Sequence, residues 1–177
     1  MRTPIYLPGQ EREPVNPSLD LPSKPLWVPD PGYWEEAIRF RTNDPVSFMD
    51  MNSLLQRLLE PKEIDRGMLE LWNLHTTSGL LVNEYEENLM ADLRSRLEVL
   101  YPKNAGYRHN EQPYSGCTRA NAHAHLWTTA SCQQHLTIPI SSGALVLGPY
   151  QNVIYAEFDG PRQRTLYMRT WEYAPKP

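Results

Sequence analysis

The chain has 177 residues, of which 40% are hydrophobic and 21% are charged, and its formal net charge is −4. This size and composition are typical of a single globular domain, and the small negative charge disfavours nucleic acid as a partner. No apolar run reaches the roughly 20 residues needed to cross a bilayer, so we expect a cytoplasmic protein with no signal peptide, no membrane contact and reduced cysteines.

We divide the chain into a proline-rich arm, residues 1–35, and an α+β domain, residues 36–177. Eight of the 17 prolines lie within residues 1–31, and proline fits neither a helix interior nor a central strand. Apolar side chains such as Trp27 and Val28 favour a docked arm over a disordered one. We expect the arm to lie on its own subunit or a neighbour. Of these two, we predict that it packs across a subunit boundary, so deleting residues 1–31 should weaken the oligomer.

Hydrophobic periodicity predicts strands and helices across the first half of the domain. The first predicted helix has Phe48 and Leu59 at helical spacing, a cap at Asp44 or Ser47, and Pro61 at its end. The elements expected here, in chain order, are a strand at 36–42, a helix within 44–61, a strand at 67–77, a turn at Ser78-Gly79 with a short strand after it, and a helix at 86–102.

The second half begins with a polar loop and a histidine-containing helix, and a run of strands follows. The strands are expected at 135–140, 144–148, 152–158 and 164–171, with turns at 141–143 and 159–161. Two or three helices combined with a strand meander indicate the α+β class.

Three histidines suggest a metal site. Residues 119–130, RANAHAHLWTTA, place His123 and His125 two positions apart, and on a helix such residues point about 200° apart, so only one can face a given site. His75 ends an apolar strand and His109 lies in the polar loop. With one helical histidine they would supply three imidazoles, the ligand set of a catalytic zinc. Spacing equally allows ordinary surface or hydrogen-bonding histidines.

Two further pairs of residues can carry chemistry. Asn83 and Glu84 follow a short strand, where they can orient a ligand or act as general base; alternatively, acids here complement the dipole of the next helix. Arg162 and Arg164 follow the turn at 159–161. Paired guanidinium groups bind phosphate bidentately, so these arginines suggest an anion clamp, with a solvated hairpin end as the alternative.

Four motifs, in this order, resemble the YjbQ family, whose members are often named secondary thiamine-phosphate synthase-like proteins. They are HTTSGLLVNE (75–84), YRHN (107–110), AHAHL (122–126) and LTIPISSGALVLGPYQNVIYAEFDGPRQR (136–164), within a resemblance that spans residues 38–169. The resemblance implies an α+β sandwich that assembles as a homotrimer. It also implies that His125, rather than His123, joins His75 and His109 as a ligand of a divalent metal, with zinc as the expected ion.

The implied reaction joins a pyrimidine pyrophosphate to a thiazole phosphate, giving thiamine phosphate, and the family name marks it as a secondary activity. The resemblance assigns catalysis to Glu84, Asn83 and His75, and binding of a small phosphorylated metabolite to Thr76, Thr77, Gln151, Arg162 and Arg164. Two alternatives stay open: a non-catalytic trimeric protein that binds a metal or small anion, and a metal-assisted phosphate-ester hydrolase.

The chain departs from the family pattern at three places. Arg119 stands where the family carries an acidic pair, and His135 replaces a serine. Residues 148–151 are Gly-Pro-Tyr-Gln instead of Gly-Thr-Trp-Gln. These changes bear on the reaction more than on the fold.

Overall fold

The computed structural model describes residues 32–111 and 119–173. The predictions for the arm lie outside the described residues except at its end, where a strand that begins at Tyr33 includes the last three residues assigned to the arm. The helices and strands given below are those of the described residues. In chain order they are β1 (Tyr33–Arg41), β2 (Ser47–Asp50), α1 (Asn52–Leu59), β3 (Arg66–Asn73), β4 (Ser78–Asn83), α2 (Glu87–Leu100), α3 (Ala122–Ser131), β5 (His135–Ser141), β6 (Ala144–Leu145), β7 (Asn152–Glu157) and β8 (Gln163–Glu172), with short 3-10 helices at Glu60–Lys62 and Arg108–Asn110.

The strands form two antiparallel sheets around a shared core. The larger sheet has the order β1-β8-β3-β5-β6, and the smaller one has the order β2-β7-β4. Leu71 of β3, Leu80 of β4 and Leu55 of α1 are fully buried in this core. Burial alternates along β3 and β5, as expected for strands with one face in the core.

A second core lies between the smaller sheet and two helices. Met90 and Leu97 of α2 and Trp127 of α3 pack with Leu81 of β4 and Ile154 of β7. These two strands are therefore buried on both faces, which explains their continuous apolar sequences. The mixed α+β fold with three helices confirms the predicted class.

The first predicted helix is shorter than its hydrophobic spacing suggested. β2 pairs with β7, and Phe48 packs edge-on against Phe158, with ring centroids 6.0 Å apart. The helix therefore begins only at Asn52. The predicted cap at Asp44 or Ser47 was wrong, because long-range strand pairing overrides the local helical pattern.

The predicted turn at Ser78-Gly79 was also wrong, while the predicted turn at 159–161 joins strands of two different sheets. Ser78 and Gly79 lie inside β4, paired with β7, and a Cβ added at Gly79 would collide with the Cys132 side chain. The chain turns earlier, over residues 74–77, and passes from the larger sheet to the smaller one. Residues 158–162 make the reverse passage from β7 to β8. Both crossings lie at the same edge of the sandwich, because Ser78 pairs with the end of β7.

Candidate functional site

A buried ion pair, Arg164–Glu157, lies beneath the edge of the sandwich where the chain crosses between the two sheets. The Arg164 guanidinium donates two hydrogen bonds to the Glu157 carboxylate, the one from Nε being 2.5 Å long. A third bond, from Nη2 to Thr77 Oγ1, is 3.0 Å. The carboxylate also accepts hydrogen bonds from Thr42 Oγ1 at 3.1 Å and from the Asp159 amide at 2.8 Å.

Arg164 and Thr77 stabilise the fold at this edge, because both belong to the buried hydrogen-bond network of Glu157. Both partners of the ion pair are almost completely buried, and charge-assisted hydrogen bonds of this kind are strong away from water. The arrangement differs from the exposed phosphate clamp that the sequence suggested for Arg164, because the guanidinium is committed to the pair and to Thr77.

The His75 ring is fixed to the start of β8. Its Nε2 accepts a hydrogen bond of 2.8 Å from the Thr165 amide, so Nδ1 carries the proton of the neutral ring. Burial, followed by the positive charge of Arg164, lowers the pKa of His75. A metal requires a free nitrogen lone pair, and the lone pair on Nε2 is already in use.

His109 and His125 meet where α3 begins. Their ring centroids are 4.9 Å apart and the rings are nearly perpendicular. His109 Nε2 lies 3.2 Å from Asn121 Oδ1, while Asn121 Nδ2 donates to Asp159 Oδ2 at 2.9 Å. Because the amide nitrogen is committed to Asp159, we assign Oδ1 as an acceptor. In the neutral ring His109 then donates from Nε2, and Nδ1 carries the lone pair.

His125 and His123 face in different directions, as the helical geometry predicted. Burial, followed by the neighbouring His109, lowers the pKa of His125, and a hydrogen bond with the Thr76 backbone opposes that shift. His123 is buried against Trp127, with ring centroids 5.3 Å apart. The site therefore includes His125 and Thr76, and His123 belongs to the core beneath.

Asp159 connects this pair of histidines to two arginines. Arg162 donates to its Oδ2 from Nε at 3.2 Å and from Nη2 at 3.1 Å, and Arg119 Nη2 donates to its Oδ1 at 3.2 Å. The Arg119 and Arg162 side chains are 46% and 28% exposed. Two guanidinium groups thus share one carboxylate, which leaves a positive excess facing solvent beside His109.

Sequence analysis missed Asn121 and Asp159 as site residues. Asp159 was interpreted only as part of a turn, and Arg119 only as a departure from the family pattern. The available signal was the clustering of an acid and an arginine in the DGPR turn with another arginine just before the histidine helix. Their convergence depends on β7 and β8 lying in different sheets, which periodicity does not reveal.

Three other predicted site residues, Asn83, Glu84 and Gln151, lie at the other end of strands β4 and β7. β4 is six residues long, and a strand rises about 3.3 Å per residue, so Glu84 lies roughly 20 Å from Thr77. Asn83 pairs with Asn152, and the neighbouring Gln151 lines an open groove of about 670 Å³ beside α1. The protomer does not bring Asn83, Glu84 or Gln151 to the histidines.

The predicted metal centre is only partly assembled. Within residues 32–111 and 119–173, no group of three or more His, Cys, Asp or Glu side chains is arranged to hold a metal ion. His109 fits a ligand role, since one ring nitrogen is anchored by an oxygen and the other carries the lone pair, and His125 is adjacent. His75 does not fit while its Nε2 accepts the Thr165 amide. Zinc binding stays a prediction.

Two further observations concern the thiols and the membrane. Cys132 is a free thiol whose pKa is raised to about 11 by burial, and Cys117 lies outside the described residues. Among the helices of residues 32–111 and 119–173, none combines the length and the apolar character needed to span a membrane.

Comparisons with known proteins agree with this fold. The family model described as "UPF0047 protein YjbQ-like" matches residues 36–173. A UPF0047 protein of Methanothermobacter thermautotrophicus is 32% identical over 133 residues, which are 75% of this chain and 88% of that protein. One from Archaeoglobus fulgidus is 31% identical over 132 residues, covering 75% and 97% of the two chains.

Solved structures give the same result. A YbjQ-like protein of unknown function from Sulfolobus solfataricus superimposes with a TM-score of 0.70 at 25% identity, covering 80% of this chain and 98% of that one. A hypothetical protein from Aeropyrum pernix has a TM-score of 0.70 at 28% identity, with coverages of 79% and 99%.

Proposed function

The chain belongs to the UPF0047 YjbQ-like family. We propose that the edge of the sandwich that carries His75, His109, His125 and Asp159, here called the histidine edge, binds a small phosphorylated metabolite in the cytoplasm. The observation that carries this proposal is the sharing of one carboxylate, Asp159, by Arg119 and Arg162 beside two imidazoles. Both guanidinium groups keep N–H donors beyond those bonded to Asp159, and such donors form charge-assisted hydrogen bonds with phosphate oxygens. The partial positive charge at the N-terminal end of α3 adds to the attraction.

The reaction that we propose is a secondary thiamine-phosphate synthase activity. The thiazole nitrogen attacks the methylene carbon of the pyrimidine pyrophosphate; a C–N bond forms, and the C–O bond breaks with its electron pair going to pyrophosphate. Negative charge develops on the leaving oxygen, where donors aligned in advance are most effective. Arg119 and Arg162 are the groups proposed to stabilise it, and Nδ1 of His109 is proposed to accept a hydrogen bond from the substrate.

Turnover of both substrates by the full-length protein tests this proposal. Arg162→Ala and His109→Ala should each lower thiamine phosphate formation by roughly tenfold to a hundredfold or more, as expected for the loss of a positioned donor or acceptor. His135→Ala is the matched control, because this histidine lies on the larger sheet, paired with Glu70 at 2.8 Å. Equal rates in the wild type and the three variants would reject the assignment.

Phosphate binding without turnover would favour the non-catalytic alternative. Thermal shift measurements with pyrophosphate, thiamine phosphate and zinc separate these cases, because a ligand that binds the folded state raises its melting temperature. A response to the phosphates that Arg162→Ala removes, with no product formed by the wild type, would identify a binding protein.

Zinc binding is proposed separately, on His109 and His125 with His75 as the third ligand. This requires His75 to release the Thr165 amide from Nε2. Stabilisation by zinc that is lost in His109→Ala and kept in His135→Ala would support the metal, and elemental analysis of the purified protein gives its content directly. Metal-dependent hydrolysis of phosphate esters would be tested on the same variants.

We also propose that the protein is a homotrimer. A neighbouring copy could supply Asn83 and Glu84 to the histidine edge, because β4 holds them roughly 20 Å away within one protomer. Light scattering should give three times the chain mass of 20.5 kDa. A mass of one chain at micromolar concentration would contradict the assembly.

A further inference from the structure

The larger sheet has an outer face that no helix covers among the residues described. α2 and α3 both pack on the smaller sheet. The strand register places side chains on this outer face in three rows: Tyr33, Trp171, Met68 and Pro139; then Glu35, Arg169, Glu70 and Thr137; then Ala37, Tyr167, Trp72 and His135. We call these twelve residues the aromatic face.

The charged side chains of the aromatic face form ion pairs with one another. Arg169 Nε lies 3.1 Å from Glu35 Oε1, and Arg169 Nη1 lies 3.3 Å from Glu70 Oε2. The guanidinium carbon is also 5.8 Å from the ring centroid of Tyr33 and 5.7 Å from that of Tyr167. A partner for this face therefore gains from contact with rings rather than from opposite charge.

Trp72 shows that the face has room for such a partner. It is 48% exposed at the centre of the third row, beside the His135 ring at a centroid distance of 5.3 Å. A large exposed aromatic side chain within a continuous aromatic surface is typical of an interaction site.

The chain enters the sheet at the margin of this face. Gly32 has a φ of +98°, which favours glycine, and its carbonyl accepts a hydrogen bond of 2.7 Å from the Glu172 amide. The next residue, Tyr33, is already part of the aromatic face. Whatever precedes Gly32 is therefore tethered within one or two residues of the first aromatic row.

The segment that precedes Gly32 has the composition that such a face binds. Residues 21–31 are LPSKPLWVPDP, with four prolines, the apolar run Leu26-Trp27-Val28, and one charge of each sign. Proline-rich sequences favour the polyproline II conformation, which docks on surfaces lined by aromatic rings without a large loss of conformational entropy.

We propose that residues 21–31 cross the aromatic face of their own subunit as a polyproline II segment. At about 3.1 Å per residue the segment extends roughly 34 Å, and five strands about 4.8 Å apart span roughly 20 Å. The tether at Gly32 gives the segment a high effective concentration at this face. For this reason we assign it to its own subunit, in place of the packing across a subunit boundary that sequence analysis predicted.

Photo-crosslinking in the full-length chain tests the proposal. Trp27 is replaced by p-benzoylphenylalanine, the protein is irradiated, and the products are mapped by mass spectrometry. Crosslinks to Met68, Trp72 or Tyr167 are expected, with the product migrating as a single chain of 20.5 kDa. The control places the same photoreactive residue at Tyr150, which is 71% exposed in the link between β6 and β7 and should give no crosslink to residues 21–31.

A second pair of variants tests the chemistry of the contact. Trp72→Ala should lower the yield of the Trp27 crosslink at least fivefold, while Tyr150→Ala should leave it unchanged. Placing the photoreactive residue at Leu26 instead of Trp27 guards against loss of the Trp27 contact itself. Crosslinks from both positions to α2 or α3, or products of twice the chain mass, would overturn the assignment to this face of the same subunit.

Discussion

Removing the cation of the buried ion pair should be strongly destabilising. Arg164→Met leaves the fully buried Glu157 carboxylate without its cation, and breaking a buried pair from one side costs about 3–5 kcal/mol. The hydrogen bonds from Thr42 and the Asp159 amide remain, so we expect the lower end, about 3 kcal/mol. For a chain of this size that corresponds to a fall in Tm of about 6–12 °C.

Urea denaturation of the variant and the wild type measures this cost. Arg94→Ala is the control, because the Arg94–Glu98 pair is half-exposed and 3.0 Å long, and such pairs contribute less than about 0.5 kcal/mol. Arg164→Met also removes a positive charge that helps to lower the pKa of His75, so NMR titration should show a higher His75 pKa in this variant. Equal costs for Arg164→Met and Arg94→Ala would refute the structural role of the pair.

Three further predictions concern single residues. The pKa values of His75, His123 and His125 are all lowered, chiefly by burial, so the free energy of unfolding is highest above the pKa of an unfolded histidine, about 6.5, and falls as the pH drops below it. His123→Phe should make this fall between pH 6.5 and 5 shallower. An unchanged slope would contradict a neutral buried ring. Asn121→Ala removes the acceptor of His109 Nε2, so nitrogen-15 shifts should show a mixture of His109 tautomers, whereas a single unchanged tautomer would exclude the proposed anchoring. Gly67→Ala should cost more than about 2 kcal/mol in urea denaturation, because its Cβ would collide with the Trp171 carbonyl, while Gly148→Ala, which meets only the flexible Gln151 side chain at 3.3 Å, should cost less than half as much.

The elements that sequence analysis predicted well are those whose signals are local. α2 begins where the acids indicated, because the Glu86 carboxylate accepts hydrogen bonds from the amides of Asn88 at 3.0 Å and Leu89 at 2.8 Å. The α3 helix and the alternating strand β5 were likewise predicted from their own residues. β2 was missed because four residues carry little periodic signal, and its pairing partner β7 is about a hundred positions away.

The site was predicted in part for the same reason. Helical geometry in α3 allowed only one of His123 and His125 to face the site, and the resemblance to the family selected His125. Glu84 was expected near His75 because a turn at Ser78-Gly79 would fold the chain back between them, yet Ser78 and Gly79 lie inside β4, which carries Glu84 to the other end of the strand. The role of Asp159 depends on two crossings between sheets, and no local pattern encodes where such crossings meet.

The hydrogen bond between the Thr165 amide and the His75 ring has a practical consequence for experiments. A single backbone N–H senses whether that imidazole is protonated, displaced or drawn toward a ligand, since each event removes its acceptor. One cross-peak in an amide spectrum could therefore follow occupancy at the histidine edge without a reporter dye, an assay substrate or any assumption about which molecule binds.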